Sequence, residues 1–325
     1  NTVGDRMSKS KYAVGVDLGG TSIKIGLVNK EGKIVKKISV DSNAHNGPDE
    51  VVNQIKKGIK LLLKNTKDKV EGIGIGSPGT VDSKKGTVEN PPNFQGWEKV
   101  FLAKRIKKEF AVDCYVENDA NAAAIGELIY GAGRKFNNFI MITLGTGVGS
   151  GIIINKKIYG GETGGAGEIG HTTIDHNGAQ CKCGSKGCIE AYVGNNYIIK
   201  RVKEELPSQA DSLINRLIEN DMSPLTPRII HEAALQNDTY AISFIVDIGT
   251  KIGHGLANAV NTLDITNIII GGGVAGFGDI LFNSIRESLI DRVMIPFKPR
   301  IKVKPAKLKN DAGIKGASAL VFYKS

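Results

Sequence analysis

The chain has 325 residues, of which 41% are hydrophobic and 23% charged, and its formal net charge is +10. This length exceeds the usual size of one hydrophobic core, so two domains are expected, and the composition is typical of a globular protein. No apolar run reaches the roughly 18 residues of a membrane helix, and the N-terminus lacks the hydrophobic segment of a secretory signal. We therefore expect a cytoplasmic protein without membrane contact, with Met7 as its natural start.

The positive charge is spread over the chain. Lysines concentrate on two predicted helices, within 56–64 and 104–108, without a helix-turn-helix pattern or a basic stripe interleaved with aromatic residues. A solvated surface is the simpler interpretation, so no nucleic acid partner is expected. The same charge favours the approach of anionic nucleotides.

The first half of the chain alternates predicted strands and helices. Turn residues and β-branched runs predict three antiparallel strands at the start, and the apolar periodicity after Pro48 predicts an amphipathic helix. In chain order the predicted elements are strands 11–16, 23–28 and 34–40, a helix from Pro48, strand 70–75, helix 97–110, strand 112–116 and helix 119–130.

The second half repeats this pattern. The segments DLGGTSIKIGLVNKEGKIV and TLGTGVGSGIIINKKIYGG look like duplicated strand–glycine turn–strand modules, which suggests two lobes with a cleft between them. The predicted elements are strands 138–144 and 152–154 around a turn at 145–151, helices over most of 195–262 with a long one from 239, strand 267–270, helix 279–292, strand 300–305 and helix 313–323.

The first glycine turn follows a strand that ends in Asp17. Gly19 and Gly20 let the backbone turn sharply and bring its N–H groups close to a phosphate, while Thr21 adds a hydroxyl and Lys24 a positive charge. Asp17 is suited to holding Mg²⁺ through water. The alternative is a tight hairpin with a capping aspartate. A partner turn later in the chain favours the phosphate site.

That partner is the turn at 145–151, which contains Thr146 and Gly147, because two glycine turns can grip one polyphosphate. A third turn, 271–276, contains the G-x-G-x-x-G of dinucleotide-binding proteins. No acidic residue ends the next predicted strand, 300–305, so a dehydrogenase is disfavoured and packing against an adenosine is the better interpretation. The G-x-x-x-x-G-K-[ST] motif is absent from the sequence, which excludes a P-loop kinase.

Three of the four cysteines crowd into one segment. Cys181, Cys183 and Cys188, with His171 ten residues upstream, supply the four ligands of a closed, structural zinc site. The alternative is three incidental reduced cysteines. Cys114, on a predicted strand, is interpreted as a small buried hydrophobic residue.

Carboxylates suited to a sugar and to proton transfer lie near these turns. Asp119 stands where strand 112–116 meets an alanine-rich helix, so it is either the helix N-cap or a general base. Glu168 and Glu190 flank the cysteine segment, and the Asn90–Asn93 loop adds amides; carboxylates and amides are the groups that bind sugar hydroxyls.

Five motifs in a fixed order resemble those of the ROK family (repressor, open reading frame, kinase), from about residue 12 to the C-terminus. They are Asp17-x-Gly19-Gly20-Thr21, Pro78-Gly79-x-Val81-Asp82, Glu117-Asn118-Asp119-Ala120-Asn121-Ala122, Gly167-Glu168-Ile169-Gly170-His171 and Cys181-x-Cys183-Gly184-x-x-Gly187-Cys188-x-Glu190-Ala191-Tyr192.

The resemblance implies an α/β fold, actin-like or hexokinase-like (ribonuclease H-like), a two-lobed ATPase with ATP and sugar meeting in the cleft. It divides the chain into a small domain, 7–118, completed by a returning C-terminal helix at about 306–325, and a large domain, 119–305, with the zinc site. Relatives are often dimers or tetramers, so a homo-oligomer is expected.

The resemblance also assigns roles, with Asp119 as the catalytic base. The implied sugar ligands are Gly79, Asn93, Asn118, Asp119, Glu168, His171 and Glu190. The implied ATP and Mg²⁺ site consists of Asp17, Gly19, Gly20, Thr21, Lys24, Thr146 and Gly147 for the phosphates and of Gly271, Gly272 and Gly273 for the adenosine. The implied structural Zn²⁺ ligands are His171, Cys181, Cys183 and Cys188.

The stretch Asn90-Pro91-Pro92-Asn93-x-x-Gly96-Trp97 is most similar to the glucokinase branch. The expected reaction is therefore ATP-dependent phosphorylation of the 6-hydroxyl of glucose, giving glucose 6-phosphate. Fructose, allose, N-acetylmannosamine and N-acetylglucosamine stay open as substrates. The family also contains sugar-sensing repressors, which carry a helix-turn-helix domain before the first motif; the few preceding residues disfavour that class. Polyphosphate-using relatives are expected to lack the cysteine segment, which favours ATP.

Overall fold

The computed structural model describes residues 11–66, 69–219 and 221–323, so the predicted start at Met7 lies outside the described residues. The strands are β1 (Tyr12–Leu18), β2 (Ser22–Asn29), β3 (Ile34–Asp41), β4 (Val70–Ser77), β5 (Thr80–Asp82), β6 (Thr87–Glu89), β7 (Lys99–Val100), β8 (Asp113–Asn118), β9 (Phe139–Leu144), β10 (Val148–Ile154), β11 (Lys157–Ile158), β12 (Asn267–Gly271) and β13 (Lys302–Pro305). The helices are α1 (Pro48–Leu63), α2 (Leu102–Phe110), α3 (Asp119–Tyr130), α4 (Glu190–Val193), α5 (Asn195–Glu205), α6 (Leu213–Leu217), α7 (Pro227–Leu235), α8 (Thr239–Leu263), α9 (Gly278–Arg292) and α10 (Ala312–Phe322).

The chain divides into two compact units. The first contains the residues up to Lys135, Lys157–Ala166 and the residues from Asn310 onward; the second contains Phe136–Lys156 and Gly167–Lys309. The first unit therefore includes α3, which packs against α10, although the sequence-based division places α3 in the large domain. The two units do not test whether the domains fold separately, so the domain boundary at 118 stays a prediction.

The first unit is built on a sheet with the order β3-β2-β1-β4-β8, in which β1 to β3 are antiparallel neighbours and β4 and β8 run parallel to β1. Helix α10 packs directly on β1 and β4 because two strand residues are glycines. A Cβ at Gly15 would lie 2.1 Å from the carbonyl oxygen of Ile314, and one at Gly74 would lie 1.8 Å from that of Ala317. Any larger residue there would push the helix off the sheet.

A small sheet, β5-β6-β7, corrects the helix predicted at 97–110. Val100 pairs with Val88 across β6 and β7, and the Trp97 indole donates a hydrogen bond to the carbonyl oxygen of Val88 at 3.1 Å. These contacts hold residues 99 and 100 in β7, so α2 begins only at Leu102. By contrast, the helix predicted at 119–130 is confirmed at both ends.

The second unit repeats the arrangement of the first. Its strands β10, β9, β12 and β13 lie in this order, with β9 and β10 antiparallel and β12 and β13 parallel to β9. The predicted duplication is thus confirmed in the strand order, but the turn is shorter than predicted. Val148 already pairs with Leu144, so residues 148–151 belong to β10 and only 145–147 form the turn.

Helices α8 and α9 pack closely on each other at glycines facing serines. A Cβ at Gly249 would lie 2.6 Å from that of Ser284, and one at Gly253 would lie 1.9 Å from the Ser288 hydroxyl. The mostly helical segment predicted at 195–262 is confirmed. Among the described residues, no helix combines the length and the apolar character needed to cross a membrane.

Candidate functional site

The first glycine turn joins β1 to β2. Its geometry requires glycine at 19, because a Cβ there would lie 2.8 Å from the carbonyl oxygen of Ser22. Ser42 fastens the turn from outside: its N–H donates to the carbonyl oxygen of Thr21 at 3.0 Å and its hydroxyl to that of Gly20 at 2.6 Å. Gly20 and Thr21 stay exposed, so the turn can receive a phosphate.

Asp17 lies directly across the β1–β2 ladder from Lys24. Burial raises the pKa of the Asp17 carboxyl above its usual range, and the positive charge of Lys24 opposes that shift. The carboxylate also lies at the start of α10, where a Cβ on Gly313 would come within 2.3 Å of it. Position 313 therefore has to be glycine if Asp17 is to keep its place.

Asp119 lies at the carboxyl ends of the parallel strands. Asp17, Gly76 and Glu117 are register partners in β1, β4 and β8, and the Cα of Asp119 would lie 3.7 Å from a Cβ on Gly76. The carboxyl ends of parallel strands are where ligands bind in open α/β sheets. Asp17 and the exposed Asp119 thus share one edge of this sheet.

The N-cap of α3 is Asn118, which corrects the alternative that Asp119 serves as the cap. The Asn118 side chain accepts hydrogen bonds from the N–H groups of Ala120 at 3.0 Å and Asn121 at 3.3 Å. Asp119 is the first residue inside the helix, and its carboxylate also accepts from the N–H of Ala120, at 2.8 Å. Capping therefore does not explain an aspartate at 119.

Glu117 stabilises the backbone around Asp119 through two hydrogen bonds. Its Oε1 accepts hydrogen bonds from the N–H of Asn118 at 2.8 Å and from the side-chain amide of Asn121 at 3.1 Å. The side chain is buried, and burial raises its pKa although these hydrogen bonds oppose the shift. The network fixes the backbone on both sides of Asp119.

Two further predicted sugar ligands lie in loops of the first unit. Gly79 has a φ of +87°, and a Cβ there would lie 2.7 Å from the carbonyl oxygen of Glu89. The Asn118 amide donates to the carbonyl oxygen of Gly79 at 3.4 Å. Asn93, exposed and left-handed, has its Cβ 3.5 Å from where a Cβ on Gly20 would lie. The structure thus joins Asn118 with Gly79, and Asn93 with the phosphate turn.

The second glycine turn is held by a carboxylate from a distant segment. Glu190 Oε2 accepts a hydrogen bond from the N–H of Val148 at 2.9 Å. A Cβ on Gly147 would lie 2.4 Å from the same oxygen. Thr146, between the two glycines, is exposed. The predicted sugar ligand Glu190 therefore touches the predicted phosphate turn.

The third glycine turn lies beside the second. Gly271 pairs with Thr143 in the sheet, and Gly272, with a φ of +90°, would place a Cβ 2.1 Å from the carbonyl oxygen of Leu144. A Cβ on Gly273 or Gly276 would meet nothing within 4 Å. The turn is therefore open where a flat group can lie on its backbone.

The predicted metal ligands come together within the second unit. The ligand atoms of His171, Cys181, Cys183 and Cys188 all lie within 4.8 Å of one another. His171 Nδ1 is 3.7 Å from Cys181 Sγ, and Cys183 Sγ is 3.6 Å from Cys188 Sγ. In a tetrahedron with Zn–S bonds of about 2.3 Å, neighbouring sulfurs lie about 3.8 Å apart. The residues therefore fit a tetrahedral Zn²⁺ of the Cys₃His type.

Glu168 stands next to this cluster, at the start of the short 3₁₀ helix Ile169–His171. Its carbonyl oxygen accepts from the N–H of His171 at 3.0 Å, and its side chain is exposed. Cys114, the fourth cysteine, packs against the core of the first unit, and burial raises its pKa to about 12. Cys114 is half-buried, so the prediction of a buried hydrophobic residue is met only in its packing against the core.

Comparison with known proteins identifies the family. The ROK family matches residues 13–324. This chain belongs to the ROK family. A glucokinase from Thermotoga maritima is 34% identical over 308 residues, which cover 95% of this chain and 96% of the relative. A xylose repressor from Caldicellulosiruptor bescii is 32% identical, with 95% of this chain and 77% of the repressor covered. Members with two different activities are therefore similar to it.

Among solved structures, a ROK family glucokinase from Streptomyces griseus, in complex with glucose and AMPPNP, has a TM-score of 0.83 and 33% identity. The match covers 95% of this chain and 98% of that protein. A ROK hexokinase from Thermus thermophilus, 26% identical, has a TM-score of 0.77. The expected actin-like or hexokinase-like α/β fold is thereby confirmed.

The residues that sequence reasoning missed act through tertiary contacts. Gly313 is the first residue of the predicted helix 313–323, and a glycine inside a helix is only a weak signal of close packing. Ser150 was not singled out; its hydroxyl donates to the carbonyl oxygen of Gly167 and accepts from the N–H of Ile169 at 3.3 Å, which holds the Glu168 segment on β10. No sequence motif pointed to Ser150.

Proposed function

We propose that the protein is an ATP-dependent glucokinase that phosphorylates the 6-hydroxyl of glucose. The observation that carries the proposal is the exposed Asp119 at the sheet edge next to Asp17, with Asn118 acting as the helix cap. The S. griseus relative binds glucose and AMPPNP, which supports this choice of substrates. Fructose, allose and the N-acetylhexosamines are the alternative acceptors.

In the proposed mechanism Asp119 is the general base. Its carboxylate takes the proton of the sugar hydroxyl as that oxygen attacks the γ-phosphorus, while the bond from this phosphorus to the β,γ-bridging oxygen breaks and ADP leaves. Gly79, Asn93 and Asn118 in the first unit, and Glu168, His171 and Glu190 in the second, are the proposed sugar ligands. Glu117 keeps the corner around Asp119 rigid, because its buried carboxylate binds the backbone of Asn118 and the side chain of Asn121.

The glycine turns are the proposed phosphate sites. Exposed backbone and side-chain donors at Gly20, Thr21, Thr146 and Gly147, with the charge of Lys24, hold the phosphates, and Gly271–Gly273 carry the adenosine. Mg²⁺, when bound near Asp17, would neutralise phosphate charge. The open space beside Gly273 and Gly276 supports the assignment to a flat nucleoside.

We propose that the Cys₃His cluster holds one structural Zn²⁺. Four protein ligands saturate a tetrahedral ion, so it leaves no position for substrate. His171 Nδ1 faces the cysteines, and Nε2 is the proposed donor or acceptor for a sugar hydroxyl. Metal analysis of the purified protein should give about one zinc per chain, and Cys183→Ser should lose it; a metal-free, fully stable protein would contradict this assignment.

We also propose that the protein works in the cytoplasm as a homo-oligomer and without nucleic acid. A cluster of reduced cysteines suits a reducing compartment. Met294 and Ile295 lie next to each other with 57% and 81% of their surfaces exposed, which favours self-association. Light scattering from the purified protein measures the oligomeric state, and a monomer would contradict this part.

The proposed activity is tested by ATP turnover with a panel of glucose, fructose, allose, N-acetylmannosamine and N-acetylglucosamine. Glucose should give the highest kcat/KM. In the same assay Asp119→Asn should lower kcat by a factor on the order of 10² to 10⁴, because the base is lost. Glucose affinity should change little, because an amide still binds the hydroxyl.

A second variant, Asn118→Asp, keeps a good N-cap but loses the amide that donates to the carbonyl oxygen of Gly79, so it should weaken glucose binding more than it lowers kcat. A loss of helix stability without loss of turnover in Asp119→Asn would exclude Asp119 as the base and make Glu168 the next choice. Sugar binding without phosphoryl transfer to any sugar would instead favour a sugar sensor, as in the related repressors.

A further inference from the structure

We propose that Glu190 is a positioning residue for the second glycine turn, so that the Cys₃His cluster controls nucleotide affinity as well as sugar binding. The segment Cys188–Asn195 carries this link. The inference rests on the proposed function only for the identity of the turn's ligand, a nucleotide phosphate. The positioning itself follows from contacts within the second unit.

The side chain of Glu190 holds the turn from one side. Oε2 accepts the hydrogen bond of the Val148 N–H at 2.9 Å and lies where a Cβ on Gly147 would stand. A hydrogen bond to a charged acceptor is stronger than one between neutral groups. The carboxylate therefore fixes the backbone at the end of the turn, where N–H groups would face a phosphate.

The backbone after Glu190 holds the turn from the other side. The N–H of Asn195 donates to the carbonyl oxygen of Gly145 at 2.9 Å. A Cβ on Gly194 would lie 2.9 Å from the carbonyl oxygen of Thr146. The turn therefore lies between Glu190 on one side and Gly194 and Asn195 on the other.

The segment begins at a ligand of the cluster. Cys188 precedes Glu190 by two residues, is fully buried and has its Sγ 3.4 Å from the carbonyl oxygen of His171. A second route runs through Gly170, where a Cβ would lie 2.3 Å from the carbonyl oxygen of Val148. Val148, the first residue after the turn, is therefore contacted by Gly170, which precedes His171, and by Glu190, which follows Cys188 by two residues.

This role is compatible with sugar binding. The hydrogen bond to Val148 uses Oε2, and no hydrogen bond to Oε1 is found in the part of the chain that the structure describes. One carboxylate oxygen of Glu190 can bind the turn while the other binds the sugar. A role limited to sugar binding makes a different prediction: changes at 190 would leave the sugar-free turn and its nucleotide affinity unaltered.

The test compares Glu190→Asp and Glu190→Gln with the wild type in the absence of sugar. Hydrogen exchange of the peptide covering 145–150 reports on the turn, and titration with Mg-ADP reports on affinity. Glu190→Asp withdraws the carboxylate by one methylene, so exchange should accelerate and affinity should fall, each by about three- to tenfold. Glu190→Gln should change both less, because an amide oxygen still accepts the hydrogen bond.

The matched control is Glu204→Asp, at an exposed glutamate of α5 in the same unit that pairs with Lys200 at 3.8 Å. It should change neither measurement. Gly147→Ala is a second variant that displaces the same carboxylate from the turn side, and it should reproduce the effect of Glu190→Asp. Removal of zinc from the wild type with a chelator should likewise accelerate exchange at 145–150.

Unchanged exchange and Mg-ADP affinity in folded Glu190→Asp and Gly147→Ala, with a raised KM for glucose, would overturn the positioning role and leave the kinase proposal intact. Accelerated exchange in a protein that phosphorylates no sugar would support the positioning role and refute the kinase proposal. The two failures are therefore distinguishable.

Discussion

Four residues, Gly19–Ser22, separate the paired residues Leu18 and Ile23 of β1 and β2, whereas only three, Gly145–Gly147, separate the paired residues Leu144 and Val148 of β9 and β10. In the first module, Asp17 lies one residue before the end of β1. The second has Thr143 at the matching place.

The two modules obtain a carboxylate by different routes. Asp17 comes from the strand that leads into its own turn and is kept in place by Gly313. Glu190 reaches the second turn from 42 residues away in the sequence. Duplicated backbones can therefore carry different chemistry: the first turn lies beside the half-buried Asp17, and the second is held by Glu190, two residues after a cysteine of the Cys₃His cluster.

The largest effect is expected from substitutions at the two matching positions, Asp17 in the first module and Thr143 in the second. Asp17→Asn should lower kcat by about 10²- to 10³-fold, because it removes the charge that would position a cation on the phosphates. Thr143→Val, the matched change in the second module, should alter kcat by less than about threefold. The measurement is steady-state ATP turnover with glucose, and equal losses in both variants would contradict the assigned difference.

A smaller effect is expected at the helix that supports the first module. Gly313→Ala should lower kcat by about ten- to a hundredfold, because the new methyl group displaces the Asp17 carboxylate. Glucose affinity should be unchanged. In the Asp17→Asn background the same change should cost little further, since both act on one group. Additive losses in this double-mutant cycle would show that Gly313 acts elsewhere.

The smallest expected effect is on stability. Burial raises the folded-state pKa of Asp17 above its ordinary value of 3.8, so the folded protein binds a proton more tightly than the unfolded chain. The wild type therefore loses stability as the pH rises from the unfolded value through the raised one. Asp17→Asn lacks this loss, so its melting temperature should exceed that of the wild type near pH 7.

This difference in melting temperature should disappear below about pH 3.8, where the carboxyl is protonated in both states. Calorimetry of both proteins between pH 3.5 and about 7.5 follows it. Glu117→Gln offers a comparison, since burial raises the pKa of Glu117 too. A wild type that is more stable than Asp17→Asn at neutral pH would contradict the cost of burying this acid.

Local patterns predicted several structural features correctly. The glycine turn after Asp17, the start and end of α3, and the Cys₃His grouping all appear where the sequence places them. Each depends on residues close together in the chain. The predictions failed where packing overrode local preference: Lys99 and Val100, within the predicted helix 97–110, pair as β7, and the second turn is shortened by the pairing of Val148.

The sequence by itself determined the duplicated modules, the family motifs and the Cys₃His grouping, because each is a matter of residue type and short spacing. Only the tertiary structure decided that Asn118 rather than Asp119 caps α3, that Gly313 makes room for Asp17, and that Glu190 holds the turn at Gly147. The last two contacts join residues far apart in the chain. Such contacts are set by how strands and helices pack, and neither spacing nor periodicity encodes that packing.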